Sequence, residues 1–145
     1  MGGMSMNIEL SDKEFRFLLD LVYIGNWVLN SARDSDRIEE YDRMEEKIFS
    51  YCANNGLEAL LSKHGGKPEP SRAYEEGGIH EAISDYEDAV FFEILAEELA
   101  RRDMNEEAIS QENISELTKR IDRYLSEFER NGVDNISIDT IEGGI

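Results

Sequence analysis

Apolar residues recur at helical spacing over most of the chain, and that period sets the expected architecture. Residues 6–10, Met-Asn-Ile-Glu-Leu, alternate in a way that suits a short strand. Ser11 and Glu14 then form a capping box that opens a helix over about 12–31. Phe15, Leu18, Leu19, Val22 and Leu29 fall on one face of it, and Phe17, Leu21, Ile24 and Val28 form a second stripe roughly opposite. A helix apolar on two sides is expected to be covered on two sides, as the central helix of a bundle or between the bundle and a partner subunit.

Ile38, Tyr41, Met44, Ile48 and Tyr51 with Cys52 give a second helix a single stripe, which Asn54, Asn55 and Gly56 stop. Residues 57–62 suit a short helical turn. Residues 63–78 carry two Gly-Gly pairs, Pro68 and Pro70, and are expected to form a flexible loop. A third helix begins at Gly78, or at Ser84 with Glu87 as its capping box, and ends near Asp103. Tyr86, Val90, Ile94, Phe91, Leu95 and Leu99 give it a broad apolar face. Asn113 with Glu116 opens a fourth, where Ile114, Leu117, Ile121, Tyr124 and Phe128 follow the spacing of a bundle seam until Asn131 and Gly132. Residues 135–139 alternate again and could pair with 6–10. The expected fold is mainly α: a single acidic helical domain over 1–145, four-helix bundle-like, with a disordered start at 1–5 and a small two-stranded pairing of the N- and C-terminal segments.

Composition narrows the function. Hydrophobic residues are 40% of the 145, with six Phe, six Tyr and one Trp, enough for a core without metal or disulfide staples. Against 15 Lys plus Arg stand 33 Asp plus Glu, a net charge of −18. Such a surface repels phosphate backbones and anionic membranes unless a basic stripe overrides it. The densest basic runs, Arg101–Arg102 and Lys119, Arg120 and Arg123, are flanked by acids. The most apolar stretch, Phe17 to Leu29, is too short and too polar to span a bilayer. The start lacks the basic and apolar regions of a signal peptide, and the single cysteine, Cys52, rules out an intramolecular disulfide. A cytoplasmic protein is the consistent expectation.

The charge is unevenly spread. Residues 75–107 hold 12 acids and 2 bases, a net −10 in 33 residues, whereas 1–74 and 108–145 each carry −4. Asp85, Glu87 and Asp88 suit a helix N-terminus, where acids interact well with the macrodipole. Glu93, Glu97 and Glu98 lie further along and have no such explanation.

Each candidate chemistry has a plainer rival. Paired carboxylates at Glu93–Glu97, Asp85–Asp88, Glu39–Asp42 and Asp42–Glu46 have the spacing of Mg²⁺ or Mn²⁺ sites on helices, but a chain this acidic yields such pairs by chance. No metal ligands are assigned. His64 and His80 lack a His, Cys or preceding Glu at ligand spacing, and read as surface histidines. Cys52 reads as a buried thiol with no basic activator. The glycine-rich segments match neither a P-loop nor a dinucleotide fingerprint, so no cofactor is expected. Tyr23 and Trp27, beside Gly25, suit either the core or a dimer interface.

Two functions follow. The leading expectation is a non-enzymatic interaction or regulatory module that binds a basic partner protein through Asp85, Asp88, Glu93, Glu97 and Glu98, with a homodimer through Tyr23 and Trp27. The alternative is a metal-dependent helical hydrolase using paired carboxylates. A surface adapted to high salt, with ten Arg against five Lys, is a third and blander account.

Overall fold

The computed structural model describes residues 3–139. It is mainly helical, as expected. The elements are α1 (Asp12–Asn30), α2 (Glu39–Ser50), two 3₁₀ turns (Tyr51–Asn54 and Glu58–Leu60), β1 (Leu61–His64), β2 (Lys67–Pro70), the single-turn α3 (Arg72–Tyr74), a π turn (Glu75–Ile79), α4 (His80–Asp103) and α5 (Ile114–Asn131). Two compact units divide the chain, Met1–Ile83 and Ser84–Ile145. No helix among the described residues is long and apolar enough to cross a membrane.

In the first unit, the capping box at Ser11 and Glu14 forms as the sequence implies: the Glu14 amide donates to Ser11 Oγ, and the Ser11 amide donates to the Glu14 carboxylate at 2.7 Å. The face that α1 buries is rotated from the one its apolar residues suggest. Leu19, Tyr23, Asn26 and Asn30 are buried, at i, i+4, i+7 and i+11. Around Leu19 and Tyr23 gather Phe49 and Cys52 from the end of α2 and its following turn, Tyr74, and Ile79 with Ile83. The second stripe is not covered: Phe17, Leu21 and Val28 stand 55%, 70% and 67% exposed, and only Ile24 packs against the core. Burial of α1 on two sides therefore does not occur within the described chain.

The segment expected as a flexible loop holds a β-hairpin. Leu61 pairs with Pro70, Ser62 with Glu69, Lys63 with Pro68 and His64 with Lys67, antiparallel. Gly65 and Gly66 make the two-residue turn at φ 57° and 81°, the left-handed conformation a tight hairpin demands. The prolines fit because of their register. The Ser71 amide donates to the Leu60 carbonyl at 2.9 Å, so hydrogen-bonded pairs fall at every second position and Pro68 and Pro70 lie between them, where no amide hydrogen is needed. This hairpin is the small two-stranded sheet of the molecule. Residues 6–10 and 135–139 carry no strand. Alternation over five residues suits a strand only where a facing edge is present, and here Ile8 and Ile138 project into solvent.

In the second unit α5 presents the expected seam. Leu117 and Phe128 are buried, and Ile121 and Tyr124 pack with Leu117 against Ala100, Met104 and Ile109. The Phe92 and Phe128 rings lie 5.5 Å apart. Asn113 does not cap α5 through its side chain. Its Oδ1 accepts from the Ser110 amide and its Nδ2 donates to the Ala108 carbonyl, bracing the preceding loop instead. Tyr86, Phe91 and Ile94 of α4 are 64%, 52% and 56% exposed, so the broad apolar face expected there is only partly covered.

Candidate functional site

Two places gather chemistry: a cleft in the first unit and the acidic surface of α4. The cleft has a volume of about 490 Å³ and lies between α1, α2 and the hairpin. A polar chain that begins at the end of α1 leads to its lining residues Asn26, Asp42 and Glu45. Asn30, fully buried, receives the Ile38 amide on Oδ1 at 2.8 Å and donates through Nδ2 to the Ile38 carbonyl at 2.9 Å and to Asn26 Oδ1 at 2.8 Å. That sets the orientation of the Asn26 amide, whose Nδ2 donates to Asp42 Oδ1 at 3.0 Å and to the Glu45 carboxylate. One side-chain amide thus joins two acids one helical turn apart on α2.

The two acids have different surroundings. Asp42 takes two hydrogen bonds from Arg37, at 2.6 and 2.7 Å, and its carboxyl is held below the usual range mainly by that guanidinium. Glu45 has no cation in direct contact. Burial raises its proton affinity, the Asn26 hydrogen bond opposes this, and Asp42 and Glu75 raise it further.

One wall is aromatic. Tyr23 and Trp27 stack with ring centres 6.3 Å apart, and His80 meets Trp27 edge-on at 4.9 Å. The Tyr23 hydroxyl and His80 Nε2 hydrogen-bond at 2.6 Å. Burial, followed by Glu75 and Glu45, pushes the Tyr23 phenol up to about 12. His80 is therefore a half-buried partner of Tyr23 and not the surface histidine expected, whereas His64 is exposed on the hairpin at the rim of the cleft. Tyr23 is 6% exposed and belongs to the core; Trp27 is half-buried and faces the cleft.

The second place is α4. Asp85, Asp88, Glu93 and Glu98 are exposed along it, and Glu97 is half-buried and accepts from Arg101 at 2.7 and 2.9 Å. The other four make no salt bridge among the described residues. The carboxylates follow the helix and do not converge. Of the pairs with metal-like spacing, Glu39 binds Arg43, Asp42 binds Arg37 and Glu97 binds Arg101. Among the described residues no three His, Cys, Asp or Glu side chains group so as to hold a metal ion. Cys52 is fully buried, and burial pushes its thiol up.

Asn26, Asn30, Glu45 and Glu75 escaped the sequence-based expectation. A signal for the asparagines was present: at i+7 and i+11 from Leu19 they continue its buried line, and a polar residue on such a line must find a partner. The role of Glu45 had no such signal, because it depends on which acids of α2 meet the Asn26 amide. No protein-family model, curated protein or solved structure matches this chain.

Proposed function

We propose that the chain is a non-enzymatic interaction module of the cytoplasm, and that α4 takes a partner protein with a basic, partly apolar surface. One observation carries this: Tyr86, Phe91 and Ile94 are exposed among Asp85, Asp88, Glu93 and Glu98, four acids without a salt bridge among the described residues. Exposed aromatic and aliphatic side chains supply the area that binding buries. The acids around them speed encounter with a cationic surface and repel anionic ones. The net −10 of residues 75–107 makes the discrimination steep. Self-association belongs to the same proposal, through the exposed Phe17, Leu21 and Val28 of α1; light scattering up to millimolar concentration tests it.

The test for the partner surface is affinity capture with the whole chain as bait. Asp88, Glu93 and Glu98 are each changed to Lys together; Glu97 is left alone because it holds Arg101. The proteins captured by the parent chain are expected to be basic and to be lost on charge reversal and in a Phe91→Ala, Ile94→Ala double variant. An unchanged set after reversal overturns the assignment of α4.

A further inference from the structure

The cleft of the first unit is not used by the partner surface on α4, and its lining has a chemistry of its own. Arg37 is occupied by Asp42 through two hydrogen bonds. Glu45 and Glu75 are left without a salt bridge among the described residues, close enough that each acid raises the proton affinity of the Tyr23 phenol. Lys67, the other cation of the lining, is exposed on the hairpin, as Glu75 is on the π turn. Two acids thus border a concave volume whose other wall is the stacked pair Tyr23 and Trp27. A second cleft of about 520 Å³ shares Tyr23, Trp27 and Glu75 and continues past Gly78 towards Glu76 and Glu81. The Trp27 ring therefore stands between two acidic hollows.

We infer that this cleft is a binding site for an organic cation, an ammonium or guanidinium head group on an aliphatic stem, held by the Glu45 and Glu75 carboxylates with its stem against Trp27 and Tyr23. Three physical points select this class. An aromatic face attracts a cation and accepts methylene groups, which a hydrated inorganic ion does not offer. A divalent metal needs several oxygens on one point, and no such group of three ligands occurs among the described residues. An anionic ligand would meet Glu45, Glu46, Glu69 and Glu75 with only Lys67 free to answer them. The Asn26 amide, locked by Asn30, keeps the Glu45 carboxylate in place before the ligand arrives, so less ordering accompanies binding. The site is independent of the α4 surface, and either assignment can fail alone.

Agmatine, which carries a guanidinium at one end and an ammonium at the other, is the probe. Calorimetry on the full chain at constant ionic strength is expected to show one saturable site of millimolar affinity or tighter. Glu45→Gln keeps an acceptor for Asn26 and removes the charge; it is expected to weaken agmatine about tenfold. Trp27→Leu is expected to weaken it several-fold, with Trp27→Phe restoring part of the loss. The double variant Asp88→Asn, Glu98→Gln lowers the net charge equally or more and is expected to bind like the parent. Circular dichroism establishes that each variant is folded. Absence of a saturable site overturns the inference, as does a Glu45→Gln protein that binds agmatine like the parent. Equal weakening in the Asp88, Glu98 variant also overturns it, because it assigns the attraction to overall charge.

Discussion

The Asn30 side chain pairs with the backbone of Ile38 on both sides, accepting from its amide and donating to its carbonyl. A side-chain amide presents a donor and an acceptor side by side, as a peptide group does, and here it replaces the missing partner of a backbone segment between two helices. The same amide donates to Asn26, which in turn donates to Asp42 and Glu45. The path from the end of α1 to the acids of α2 is thus continuous, and the connection between the helices is positioned by side chains as well as by its own turns.

Asn30→Ala is expected to cost about 1–3 kcal/mol in chemical denaturation, because it leaves the half-buried Ile38 amide without its partner and releases the Asn26 amide, while the Ile38 carbonyl keeps only the Tyr41 amide. Asn30→Asp is expected not to rescue, since a carboxylate can accept from the amide but cannot donate to the carbonyl. Loss of well under 1 kcal/mol in both variants would show that water replaces the side chain without penalty.

Glu45 makes stability depend on pH. Its proton affinity is raised in the folded state by burial first, with Asp42 and Glu75 adding to it and Asn26 and Arg37 opposing. A carboxyl raised on folding is most favourable when protonated, so its contribution is fully present below the ordinary value of 4.5 and is lost as pH rises through the higher folded value. Glu45→Gln is therefore expected to have a higher urea midpoint than the parent at pH 7, with the difference shrinking towards pH 4. A variant equally destabilised at both pH values would contradict the sign.

Gly25 lies in the interior of α1, and a Cβ built there meets nothing within 4 Å. Gly25→Ala is expected to raise stability by about 0.5–1 kcal/mol, since Ala restricts the unfolded chain and suits the helix. Thermal unfolding across a range of protein concentrations checks it. A loss that grows with concentration would mean that a second copy approaches the helix backbone at this point.

Gly78, inside the π turn that leads into α4, has φ 106°, a region that side-chain-bearing residues rarely enter. Gly78→Ala is expected to cost about 1–3 kcal/mol. Urea denaturation of the variant beside the parent reads the loss. A stability equal to the parent's would show that the turn relaxes to another conformation.

Much of the local structure is legible in the residues. Ser11 and Glu14 start α1, Asn131 and Gly132 stop α5, and the spacing of Leu117, Ile121, Tyr124 and Phe128 marks the buried side of α5. These are short-range effects, settled by groups within one or two helical turns. The hairpin is a middle case. Its turn residues Gly65 and Gly66 are plain in the sequence, but Pro68 and Pro70 argue against a strand until the register is known, and the register places both between hydrogen-bonded pairs.

What the sequence by itself determined is the helical class, most helix limits, the net charge of −18 and its concentration in residues 75–107. Which face of α1 is buried was decided by tertiary structure. The apolar stripes offered two choices, and packing took the line of Leu19, Tyr23, Asn26 and Asn30 because Ile38, Asp42 and Glu45 could satisfy its asparagines. That choice leaves Phe17, Leu21 and Val28 exposed and brings Trp27 to the acids of the cleft. Periodicity records how apolar each side of a helix is. It does not record whether a distant residue will supply the hydrogen bonds that let a polar side be buried.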